Sequence, residues 1–193
     1  MKKRMAVGPM VAADSKQFNK NNFKQLAGLG YRPLHFHDLL NKSPQISWLE
    51  IISENYVGVK GPRFNKLLQL AEIYQLAIHG VSLNLCSPDP LNWPYLHQLK
   101  ELIGAINPIR VSDHLCWTGS GQHNYHDLFP LPYTRQMLAH VAQKIAQVQE
   151  FLQRPILIEN LSAYLAYPEN DFDEYQFMSE LCQTTGCKIL FDV

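Results

Sequence analysis

The chain has 193 residues, 46% of them hydrophobic and 18% charged, an ordinary composition for a globular protein with one substantial core. Lys plus Arg and Asp plus Glu both number 17, so no net field draws it to nucleic acid or to an anionic membrane surface. No apolar run reaches the roughly 18 residues that a membrane span needs.

Met1-Lys2-Lys3-Arg4 followed by Met5 to Ala13 has the outline of a signal peptide. Its apolar segment is short and broken by Gly8 and Pro9, so no export signal is expected. Residues 1–24, rich in Asn and Lys, read as a loose leader. The four cysteines (Cys86, Cys116, Cys182, Cys187) form no Cys-x-x-Cys pair. They are expected to be buried free thiols in a reducing cytoplasm.

Leu26 to Tyr31 is a short apolar piece punctuated by glycine and reads as a first strand. His35 to Leu40 can form a short helical turn after Pro33. Trp48 to Ser53 is a strand that ends at Glu54-Asn55. Pro62 to Tyr74 carries Leu67, Leu68, Leu70, Ala71 and Tyr74 at helical spacing, with Pro62 where a first turn tolerates it. Leu76 to Ile78 is a strand entering His79, and Val81-Ser82-Leu83 continues the extended run. Tyr95 to Ile106 is an amphipathic helix stopped by Asn107-Pro108.

Ile109 to Ser112 is a strand running into Asp113-His114, and a Gly- and His-rich loop follows from Gly119. Thr134 can cap a helix through about Leu152, with Met137, Leu138, Val141, Ile145 and Val148 in register. Ile156-Leu157-Ile158 after Pro155 suits a strand buried on both faces, and it ends in Glu159-Asn160. Asp173 to Thr184 is a helix closed by Gly186. Lys188 to Phe191 is a last strand that ends in Asp192-Val193.

Strands alternating with helices mean a parallel sheet. No Gly-x-Gly-x-x-Gly or phosphate-loop motif follows a strand, which disfavours a nucleotide-binding doubly wound sheet. Polar residues at the C-terminal ends of successive strands favour a (β/α)8 TIM barrel, where that face carries the chemistry. Six strands are countable where a closed barrel has eight. Residues 25–193 therefore read as a partial TIM-barrel domain, truncated after about six strands.

Five strand ends deliver Glu54, His79, Asp113-His114, Glu159 and Asp192. Imidazole with carboxylate and no thiolate is ligand chemistry for zinc, manganese or non-heme iron. Carboxylates can bridge two ions while imidazoles cap them. Asn55 and Asn160 are candidate donors that orient those carboxylates. His123, His126 and Asp127 form a second cluster within the loop, with His126 and Asp127 as candidate substrate contacts. His35, His37, His97 and His140 read as structural or surface residues.

Glu54-Asn55-Tyr56, His79 to Leu83, Ser112 to Trp117, Asp127 to Thr134, Glu159-Asn160 and Phe191-Asp192-Val193 follow one another in that order. Together they resemble the bacterial multinuclear non-heme iron-dependent oxidases, a family long catalogued as uncharacterised. The resemblance covers residues 26 to 193. It implies a barrel of the xylose isomerase-like type with two or three iron ions at its C-terminal mouth. It also implies dioxygen-dependent oxidation of cysteine-containing, ribosomally made peptides, often presented by a separate partner protein. By motif, His79, His114, Glu159 and Asp192 correspond to metal ligands, and Glu54 and Asp113 to catalytic mouth residues that ligate or orient.

Members of that family continue beyond the Asp-Val pair with an Asn-Asn pair and further His, Asp and Glu ligands. An incomplete chain is therefore expected, with oligomerisation as one way to cover its open sheet edges. Two alternatives stay open: a zinc-dependent hydrolase or isomerase on the same barrel, and an inactive fragment or binding module.

Overall fold

The computed structural model describes residues 27–193 except Ser43, Gln45, Gln122 and Ala163. The expected leader, the signal-like segment and Leu26 lie outside the described residues.

The elements run β1 (Gly28–Gly30), α1 (Phe36–Lys42), β2 (Trp48–Ile52), α2 (Pro62–Ala71), β3 (Gln75–Gly80), α3 (Trp93–Ile106) and β4 (Arg110–His114). They continue with β5 (Trp117–Ser120), β6 (His123–Phe129), α4 (Arg135–Leu152), β7 (Leu157–Glu159), α5 (Glu174–Thr185) and β8 (Lys188–Leu190). Six strands form one parallel sheet in the order β1-β2-β3-β4-β7-β8, so spatial order follows chain order. Each crossover between neighbouring strands carries a helix, which is the β/α barrel pattern.

One face of each of the four central strands, β2, β3, β4 and β7, packs under the helices. Leu49, Ile51, Leu76, Ile78, Val111 and Ile158 are almost wholly buried there. They meet Leu67 and Leu70 of α2, Leu96 and Leu99 of α3, Val141, Ile145 and Val148 of α4, and Phe177 and Leu181 of α5 in one core. Burying each such side chain contributes about 1.5–3 kcal/mol, which is how marginal helix propensities become fixed helices.

Side chains punctuate the helices as their sequences foretell. Thr134 Oγ1 accepts from Met137 N at 3.1 Å, and Asp173 forms a capping box with Gln176. Asn107 and Gly186 close α3 and α5 in the left-handed conformation. Helix α3 begins two residues before the expected Tyr95, because the Asn92 side chain accepts from Tyr95 N.

Two expectations are corrected. Strand β3 ends at Gly80, and residues 81–83 leave the sheet instead of extending it. The expected loop after Gly119 contains an antiparallel hairpin, β5 with β6. Trp117 stacks on Phe129 at 4.6 Å between ring centroids, and Tyr125 stands edge-on to Trp117 at 6.1 Å. Such cross-strand aromatic pairs stabilise a two-stranded ribbon. Gly119 lies so close to the His123 backbone that no Cβ fits between them. The hairpin is fastened to the segment after β3 by Asn84, whose side chain accepts from Thr118 N at 2.8 Å and donates to Gly119 O at 3.0 Å. No helix among the described residues is long and apolar enough to cross a membrane.

Candidate metal centre

Successive side chains of a strand point to opposite faces. In β4 this sends Ser112 and His114 away from the helices and Asp113 toward them. The parallel register places His79 beside Ser112 and His114 beside Glu159. Three strand ends therefore bring two imidazoles and a carboxylate to one point on the face opposite the helices.

His79 Nε2 lies 3.4 Å from His114 Nε2 and 3.3 Å from Glu159 Oε2, and His114 Nε2 lies 3.7 Å from the same oxygen. Each imidazole has its other nitrogen engaged. His114 Nδ1 is 3.1 Å from the Gly80 carbonyl, which can only accept, so Nδ1 carries the proton and Nε2 is bare. His79 Nδ1 is 2.8 Å from Ser112 Oγ, whose own hydrogen goes to the Ile78 carbonyl at 3.3 Å. His79 is thereby also the Nδ1–H tautomer.

Burial moves all three groups, each against its charged form. It lowers His79 to about 4, with further repulsion from His114. It lowers His114 too, overriding the Gly80 hydrogen bond. It raises Glu159 to about 6, aided by the charges of Asp192 and Glu50. At neutral pH the imidazoles are neutral, so the short His–Glu distances are not ion pairs. Three lone-pair acceptors face one another with no hydrogen between them.

That arrangement suits a cation. Ligand atoms about 2.1 Å from an ion stand about 3.0 Å apart at right angles and about 3.4 Å apart at tetrahedral angles. The observed triangle sits close to that range. His79, His114 and Glu159 form the one group of three or more potential ligands of this kind among the described residues.

The other sequence-derived residues are distributed around this triad. Asp192 follows β8 and is exposed, with Oδ2 accepting from Ser162 Oγ at 3.4 Å. Its charge acts on Glu159 and His114, but it is outside the triad. Asn160 holds the Asp192 backbone at both ends: its Oδ1 accepts from Asp192 N at 2.8 Å and its Nδ2 donates to Asp192 O at 3.2 Å. Asn55 is exposed in the turn after β2. Glu54 accepts from Val81 N, Tyr95 Oη and Ser53 Oγ. Asp113, 1% exposed, accepts from Leu83 N and His114 N on the helix side of the sheet. His126 and Asp127 line a cavity of about 350 Å³ with Val81, Ser82, Thr118, Asn124 and Leu128.

Ser112 and the Gly80 carbonyl were not singled out in the sequence. Ser112 could have been, since it stands two residues before His114 and so shares its face of the strand. Nothing in the sequence marks the Gly80 carbonyl.

A family profile described as the RiPP precursor modification enzyme MbnB/TglH/ChrH matches residues 26–193. The chain belongs to this family. Among curated relatives it is 48% identical over 169 residues to a UPF0276 protein of Acaryochloris marina, covering 88% of this chain and 61% of that one. It is 41% identical over 172 residues to a UPF0276 protein of Vibrio parahaemolyticus, covering 89% and 60%. The chain thus spans about three-fifths of the length of the curated relatives it matches.

Among solved structures it is similar to an L-ribulose 3-epimerase, with a TM-score of 0.53 and 14% identity over 85% of this chain and 58% of that one. A D-psicose 3-epimerase follows with a TM-score of 0.51 and 10% identity, covering 88% and 61%. At that identity the likeness concerns the fold. The six parallel strands have the fold of a partial TIM barrel.

Proposed function

We propose that this member of the RiPP-modification family uses a metal centre at the C-terminal mouth of its barrel to oxidise cysteine-containing, ribosomally made peptides. The observation that carries the reading is the convergence of three bare acceptor atoms, His79 Nε2, His114 Nε2 and Glu159 Oε2, with both opposite imidazole nitrogens already engaged.

Two neutral imidazoles and one carboxylate form the donor set of non-heme iron oxygenase sites, which favours iron over a thiolate-held structural metal. Two or three ions are expected in intact homologues, and Asp192 is proposed here as a fourth ligand. Iron, when bound, supplies the one-electron and dioxygen chemistry that side chains lack.

The chain's own residues do the rest. Ser112 and Gly80 fix the ring tautomers, and Asn160 holds the Asp192 backbone on which its carboxylate is carried. The cavity between residues 81–82 and the hairpin, with His126 and Asp127 on its wall, is the proposed place for the peptide beside the reacting cysteine. A separate protein that presents the peptide is part of this proposal.

Elemental analysis of anaerobically purified protein tests it, together with dioxygen uptake on a cysteine-containing precursor peptide. Iron with peptide-dependent uptake that falls to background in His114→Ala supports the oxidase. Zinc in the site without dioxygen uptake replaces it with a hydrolase or isomerase.

A further inference from the structure

Glu54 and Asp113 stand at the ends of neighbouring elements, close to the triad yet turned from it. Each clasps a different main-chain N–H of the segment that follows β3. Val81 N donates to Glu54 Oε1 at 3.0 Å, and Leu83 N donates to Asp113 Oδ2 at 3.1 Å. Glu54 is itself braced: Tyr95 Oη donates to its Oε1 at 3.0 Å and Ser53 Oγ to its Oε2 at 2.9 Å. Asp113 Oδ1 accepts from His114 N at 2.8 Å. All four carboxylate oxygens therefore already accept at least one hydrogen bond.

Gly80 lies between the two clasps, and its carbonyl receives the His114 Nδ1 hydrogen. A Cβ at Gly80 would come within 2.7 Å of Asp113 Oδ2, 2.9 Å of Ser53 Oγ and 3.2 Å of Tyr95 Oη. The clasp closes over this position because glycine has no side chain. One continuous path leads from the two carboxylates, through the backbone of residues 80–83, to the ring of His114.

We propose that Glu54 and Asp113 are positioning residues that fix the orientation and tautomer of His114 through the Gly80 carbonyl, not groups that meet the substrate. Val81 N–H and the Gly80 carbonyl share one peptide plane, so losing the Glu54 clasp frees that plane to rotate, and losing the Asp113 clasp on Leu83 N loosens the segment that follows it. His114 Nδ1 then loses its fixed acceptor, and the tautomer that bares Nε2 loses its advantage. His79 is insulated from this effect, because Ser112 holds its Nδ1 from β4. The inference deepens the metal-centre reading and rests on it for its effect on metal affinity, while the tautomer itself is a property of the metal-free protein.

The test pairs long-range ¹H–¹⁵N spectra of the histidine rings in metal-free protein with cobalt(II) titration, in the unaltered chain, Glu54→Ala and Glu54→Gln. In the unaltered chain His114 is expected as the Nδ1–H tautomer. Glu54→Ala should give mixed tautomers at His114 alone and weaken cobalt(II) binding by about 10–100-fold, the usual range for partners behind a ligand. Glu54→Gln should restore most of both, since its amide oxygen still accepts from Val81 N. Tyr95→Phe, which removes one hydroxyl donor from Glu54, serves if Glu54→Ala does not fold. It should shift both readouts in the same direction by less. A folded Glu54→Ala or Tyr95→Phe with the tautomer and affinity of the unaltered chain overturns the proposal. A tautomer shift in a chain that never binds cobalt(II) supports the clasp and overturns the metal-centre reading alone.

Discussion

Asp113 and His114 are consecutive residues that face opposite sides of one strand. His114 turns its ring to the triad, and Asp113 turns its carboxylate into the layer beneath the helices, where it accepts from Leu83 N. The two substitutions should therefore differ most in their effect on stability. His114→Ala is expected to abolish tight metal binding while leaving cooperative unfolding in place. Asp113→Ala leaves two N–H groups without their acceptor and should cost about 2–4 kcal/mol of stability. Chemical denaturation and metal titration of both variants check this, and equal stability of the two would contradict the assignment of faces.

Protons and metal compete for the triad. Glu159 must be ionised to bind, and in the metal-free protein burial raises it to about 6. Affinity should accordingly be flat above about pH 6 and fall about tenfold per pH unit below it. The fall steepens as His79, lowered to about 4, also takes a proton. Without metal the same groups pull stability in opposite directions. His79 and His114 bind protons more readily unfolded, so folding weakens as pH drops through 6.5. Glu159 binds protons more readily folded, so its contribution is lost as pH rises from 4.5 through about 6. Cobalt(II) affinity measured from pH 5 to 8 is the direct check, and a profile without a break near pH 6 would count against Glu159 as a ligand.

Leu99 of α3 is 2% exposed and packs within the single core beneath the sheet. Leu99→Ala should destabilise the domain by about 2–5 kcal/mol through lost burial and an unfilled cavity. The midpoint of urea unfolding should fall with little change in slope. A loss under about 1 kcal/mol would mean that α3 is not fixed to the sheet as described.

Asp173 caps α5 reciprocally with Gln176 at 2.7 and 3.1 Å. Asp173→Ala should cost about 1 kcal/mol, and Asp173→Ser or Asp173→Asn much less, since either still accepts from the helix N–H. Matched thermal melts of the three variants decide it. Equal loss in all three would show that the side-chain cap contributes nothing.

Much of this was legible in the sequence because single patterns settle it. Ile156-Leu157-Ile158 and Trp48 to Ser53 read as strands from their apolar runs, and Thr134, Asp173 and Gly186 announce helix ends locally. The placing of His79, His114 and Glu159 at successive strand ends, where their ligand atoms converge, was legible. Their companions were grouped with them because position along the strand was counted before side-chain direction. Alternation in β4 separates Asp113 from His114, and one brace on Glu54 comes from Tyr95, 41 residues away in the chain. The hairpin was hidden for a different reason. Most of β6 is exposed, so His123, Asn124, His126 and Asp127 mask any apolar alternation, and the stabilising stack joins Trp117 to Phe129 across the turn.

The most direct measurement is the iron content of the chain purified without oxygen, beside His114→Ala and Glu159→Ala prepared identically. About one equivalent or more in the unaltered chain, lost in both variants while they stay folded, is the result expected of a centre built on His79, His114 and Glu159. Iron retained equally in all three, or absent from a folded unaltered chain that also takes up no cobalt(II), would contradict it.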